Sequence, residues 1–95
     1  MPRVTVHDDI HDLIGHSVVL DTMGTLVYLG VLREVTESGF RLADADVHDC
    51  REGHAGREVY IMEAARDGLT VNRSRVFVLR AAVCSISRLD DVPVD

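Results

Sequence analysis

A glycine in the middle of a long apolar strand most limits what this chain can become. From Thr25 to Val35 the sequence reads as one strand, apolar on both faces as far as Val31, with Gly30 near its centre. A half-exposed strand needs apolar residues only at alternate positions, so apolarity on both faces implies two packed surfaces. Glycine inside a strand marks a sharp bend or a close approach of another backbone. A bent strand serving two faces suits a small barrel.

The flanking segments repeat the pattern. His16 to Asp21 is rich in β-branched residues and stops at the turn signal Thr22-Met23-Gly24. Thr36-Glu37-Ser38-Gly39 is the next turn, and Phe40 to Val47 a third strand. Cys50 to Gly56 reads as a polar loop, and Glu58 to Ala64 as a fourth strand. Ala65 to Asn72 is a connection around Asp67-Gly68. Arg75 to Leu79 and Val83 to Leu89 are two further strands across the corner Arg80-Ala81-Ala82. Ahead of them all, Asp8 to Leu13 reads as a short helix, capped by Asp8 or Asp9 and closed by Gly15. Its Ile10, Leu13 and Ile14 share a face. The expected architecture is mostly β, a short N-terminal helix followed by a strongly bent, five- or six-stranded antiparallel SH3-like small barrel. Residues 1–95 form a single domain with its core over about residues 8–89, and the acidic segment from Asp90 to Asp95 frays.

Composition narrows the function. Only 4% of the residues are aromatic and none is Trp, so the core is aliphatic and thin, which favours oligomerisation. The low-charge segments Tyr60–Met62 and Val83–Ile86 are the expected open sheet edges, which pairing between copies would cover. No run approaches the roughly 18 apolar residues of a membrane span, and the N-terminus has no apolar signal region. A cytoplasmic protein without a membrane partner is expected. Cys50 and Cys84 form no C-x-x-C pair and read as reduced thiols, Cys84 packing as a small hydrophobe. The net charge of −6 repels phosphate backbones, so general DNA coating is not expected. All ten basic residues are Arg, a side chain suited to bidentate recognition of phosphate or carboxylate.

Several residues together resemble a known family. Val18-Val19-Leu20, then Gly24, Gly30-Val31-Leu32 and Leu42-Ala43-Asp44-Ala45 are similar to the first motif of the Sm-like (LSm) proteins. Val78-Leu79-Arg80-Ala81-Ala82-Val83-Cys84-Ser85-Ile86 resembles the second motif, in the spacing of the bacterial Hfq branch. The family's Asp and Asn in the turn before strand three are here Thr36 and Gly39, and Ala81 stands where Gly or His is common. The resemblance implies a homo-oligomeric ring, made by pairing the fourth strand of one copy with the fifth of the next. It also implies single-stranded RNA as partner, with Arg80 facing the ligand.

Beside Arg80, Arg73 and Arg75 form a local cationic cluster that could contact phosphate, so Arg80, Arg73 and Arg75 are the candidate RNA-binding residues. A stacking platform for bases is not expected among them. Two other groupings are weighed as metal ligands. His7 and His11 are four apart, and on a strand Asp44, Asp46 and His48 point to one side. Both read more simply as solvated segments, so no metal and no cofactor is expected. No G-x-S-x-G, phosphate-cradling glycine loop or H-E-x-x-H is present, and catalysis is not expected. An Sm-like ring that binds RNA is the leading expectation. A protein–protein assembly domain on the same barrel and a small metal-binding protein are the alternatives.

Overall fold

The computed structural model describes residues 10–51 and 56–94. The strands are β1 (Ser17–Thr22), β2 (Leu26–Val35), β3 (Gly39–Asp49), β4 (Arg73–Leu79) and β5 (Val83–Arg88), with a helix α1 (Arg57–Asp67) between β3 and β4. They form one antiparallel sheet in the order β4-β3-β2-β1-β5. Consecutive β4 and β5, joined by the 3₁₀ turn Arg80–Ala82, therefore lie at opposite edges of the sheet.

Both faces are packed, as the apolar run around Gly30 requires. Val18, Leu20, Leu32, Phe40, Leu42, Ala45 and Val78 fill the inner face. Val19, Val27 and Leu29 point the other way and meet Ile61 and Ala64 of α1 together with Leu89. Gly30 allows the bend at its centre. A Cβ there would press on the carbonyl of Ala43 and on Ala45 at 3.0–3.3 Å. Opposite it, Asp44 adopts a left-handed backbone (φ 50°) and the β2–β3 register shifts, a bulge that adds one residue to β3. Leu42 and Ala45 consequently both face the inner cluster although they are three apart.

The expected fourth strand, Glu58 to Ala64, is a correction: these residues belong to α1. Val59, Tyr60 and Ile61 carry strand propensity, but Met62-Glu63-Ala64-Ala65-Arg66 are strong helix formers. Ile61 and Ala64, one turn apart, are the positions the helix buries on the outer face of the sheet. Gly68 at φ 99° ends it, its N–H donating to Ala64 at 2.9 Å. The open edges are thus β4 and β5, not Tyr60–Met62.

At the N-terminal end, Asp8 and Asp9 lie outside the described residues. Ile10 and His11 are helical, with turn bonds continuing to Ile14. Ile10 is buried and Leu13 packs beside it, whereas Ile14 is exposed. The expected loop from Cys50 to Gly56 falls partly outside the described residues. The acidic end is packed over Leu89–Val92, a second departure from expectation, because Leu89 and Val92 join the outer cluster. Cys84 is exposed on the edge strand rather than packed inside.

Gly39 has the least room of the described glycines. A Cβ at this position would collide with the Val78 carbonyl, a rigid backbone group. Gly39→Ala is therefore expected to destabilise the protein by about 2 kcal/mol or more. Gly24→Ala, where the added carbon meets open space, should stay within about 0.5 kcal/mol of wild type. Midpoints of urea unfolding compare the two directly.

Candidate nucleic-acid interface

The corner between β4 and β5 is built against the turn between β2 and β3. Thr36 closes that turn on itself. Its hydroxyl accepts from the N–H groups of Ser38 and Gly39 at 3.2 Å each, and its own N–H donates to Gly39 at 2.9 Å. Arg80 then fastens the corner to it. Its backbone N–H donates to Ser38 at 2.8 Å, Nε donates to Glu37 at 3.1 Å, and Nη2 donates to Thr36 at 2.7 Å, all to carbonyl oxygens. The guanidinium carbon also lies 5.1 Å from the centre of the Phe40 ring. Arg80 thus holds the two loops together, and among the described residues its Nη1 has no hydrogen-bond partner.

Arg73 and Arg75 do not join Arg80 in one patch. They stand on β4, opposite Ala45 and Ala43 of β3, with exposed side chains. Four residues separate Arg75 from Arg80, an advance of roughly 16 Å along the strand direction. Arg73 donates to the neighbouring Asn72 carbonyl at 2.9 Å. Asn72 itself extends the sheet, since its side-chain amide exchanges hydrogen bonds with the backbone N–H and C=O of Val47 at 3.0 and 2.9 Å.

Two residues join this face that were not among the sequence candidates. Phe77, two residues beyond Arg75, is directly opposite Arg41 of β3. The Arg41 guanidinium lies 5.3 Å from the Phe77 ring centre and also pairs with Glu34 at 3.0 Å. Arg75, Phe77 and Arg41 border a surface hollow of about 420 Å³ together with Val76. The period-two spacing of Arg75 and Phe77 could have revealed the shared face, and only the β3 pairing supplies Arg41.

The suggested Asp44, Asp46 and His48 grouping is taken apart by the bulge. Asp44 lies in it and is exposed, while Asp46 is 2% exposed beneath α1. Asp46 accepts a 2.6 Å hydrogen bond from the Tyr60 hydroxyl and a 3.2 Å bond from the Thr70 N–H. The His48 ring stacks on Tyr60, with centroids 3.6 Å apart. Among the described residues no three His, Cys, Asp or Glu side chains converge as metal ligands. His7 lies outside the described residues. These contacts instead seat α1 on β3. Burial, reinforced by the Asp46 carboxylate, pushes the Tyr60 hydroxyl well above the ordinary phenol range.

The fold has counterparts among solved structures. The Sm protein of Pyrococcus abyssii, solved in complex with a uridine heptamer, superposes with a TM-score of 0.63 over 90% of this chain and 99% of that one. The fold is Sm-like. Sequence identity in this superposition is 17%. A chain of the NatC complex bound to CoA is also similar, with a TM-score of 0.55 at 17% identity, over 96% of this chain and 91% of that one. No family model matches the sequence, and no curated protein matches it.

Two outcomes follow from these contacts. Tyr60→Phe leaves Asp46 buried with one fewer donor, so a loss of about 1–3 kcal/mol is expected near neutral pH. In the wild type the raised folded-state pKa of Tyr60 contributes stability that is fully present below the unfolded value near 10 and is lost as pH rises through the folded one. The gap between the two proteins in thermal unfolding should therefore narrow above pH 10. Arg80→Ala should itself destabilise by about 2 kcal/mol, because charge-assisted bonds to two carbonyls disappear. Urea unfolding measures that loss.

Proposed function

We propose that this chain is a ring-forming Sm-like module that binds single-stranded RNA, acting in the cytoplasm by binding and not by catalysis. The observation that carries the reading is the pair of open edges. β4 and β5 sit at opposite ends of one sheet, and the β5 segment Val83-Cys84-Ser85-Ile86-Ser87 is uncharged. An edge of one copy placed on the other edge of the next is a head-to-tail contact, and such contacts repeat into closed rings when the rotation closes. RNA as the ligand class draws support from the uridine heptamer bound by the Pyrococcus abyssii protein. It also draws on the arginines of this chain. Among the described residues Arg80 keeps an uncommitted Nη1 at the corner, and Arg73 and Arg75 stand exposed along β4, where they can meet phosphate. Among the described residues no helix is long and apolar enough to cross a membrane.

A second reading rests on different observations. The net charge is −6, and the Thr36 turn satisfies its own polar groups. Both suit a barrel used for protein–protein assembly without nucleic acid, and the likeness to a chain of the NatC complex is in keeping with it.

Light scattering on purified protein is expected to give a mass several times that of the chain, and a strictly monomeric species at micromolar concentration would exclude the ring. Anisotropy with short oligouridylate and oligoadenylate at two salt concentrations tests the ligand. Affinity should fall with salt, and the combined Arg73→Ala, Arg75→Ala, Arg80→Ala variant should lose most of the binding. An oligomer whose wild type binds neither strand at low salt would instead establish the assembly reading.

A further inference from the structure

The outer face of the sheet is divided. α1 and Leu89 cover the part formed by Val19, Val27 and Leu29. The remainder, over β4 and the first half of β3, carries Arg41, Arg75, Phe77 and Leu79. Leu79 is 62% exposed and Phe77 half-buried, so an apolar surface lies open among guanidinium groups. In a protein of net charge −6 this local sign is the reverse of the whole. The one carboxylate paired within the group, Glu34, is neutralised by Arg41.

From this arrangement we infer a second RNA-contact site, centred on Phe77 and separate from the Arg80 corner, that takes a base of a single strand by stacking. The inference rests on the RNA reading above. The chemistry follows from the neighbours. Aromatic rings accept bases of any sequence by stacking, and cationic side chains at their margins hold the connecting phosphates. Here the hollow of about 420 Å³ has Phe77 as its aromatic wall and Arg41 and Arg75 at its rim. Arg41 lies 5.3 Å from the ring centre, so its guanidinium can itself stack on an inserted base. A duplex keeps its bases stacked on one another and has no free face to offer. The site is therefore selective for unpaired strands.

The absence of Trp from the sequence gives a direct assay. Phe77→Trp places a single indole in the hollow, and saturating oligouridylate or oligoadenylate should quench its emission while the corresponding RNA duplex does not. Phe77→Ala should weaken binding of the same strand roughly 5- to 150-fold, with the secondary structure and oligomer mass unchanged. Arg75→Ala should lower the slope of log affinity against log salt by about 0.7 for each phosphate contact it removes. Indole emission from the Phe77→Trp variant that stays unquenched at strand concentrations that saturate by anisotropy would overturn this site and leave RNA binding at the Arg80 corner intact. Absence of binding by the wild-type protein itself would overturn both.

Discussion

Much of this structure depends on the close approach of Gly30 to β3. The Ala43 carbonyl and Ala45 lie so close to the glycine that a Cβ would sit 3.0–3.3 Å from them, and the bulge at Asp44 takes up the extra residue. The bulge reverses the alternation along β3. Up to Leu42 the even positions face the inner cluster, whereas from Ala45 the odd position does. Asp46 and His48 are thereby moved to the outer side, where α1 covers them. Without this reversal, a carboxylate would point into an aliphatic core at considerable cost.

The outer side then needs its own cover, and α1 provides it. The helix packs through Ile61 and Ala64 and is fixed laterally by Tyr60 on Asp46 and His48. Arg57 at its first turn reaches the carbonyls of Thr22 and Gly24 in the β1–β2 turn. A helix of this length covers only part of the sheet. The uncovered part coincides with the exposed arginines of β4, so the position of α1 also decides which surface is left for a ligand.

At the opposite end of β4, Arg80 joins the β4–β5 corner to the β2–β3 turn. Three of its donors bond carbonyls of the facing turn, which fixes the approach of the two loops. The guanidinium is thereby held in one orientation over Phe40. The residue cannot be removed without disturbing the loops it joins.

The sequence by itself determined the strand-rich architecture, because β-branched runs, turn tetrads and a glycine within a two-faced apolar strand are all local signals. It also determined the corner at Arg80-Ala81-Ala82 and the resemblance that the Sm-like fold bears out. Only the tertiary structure decided that Glu58–Ala64 is helical, since its β-branched and helix-forming residues compete locally and the outer cluster settles the outcome. Tertiary structure likewise decided that Asp46 accepts from Tyr60, because the bulge that turns it outward depends on a pairing between β2 and β3. It placed Arg41 over Phe77 across the β3–β4 ladder, a neighbour 36 positions away in sequence and adjacent only through strand register.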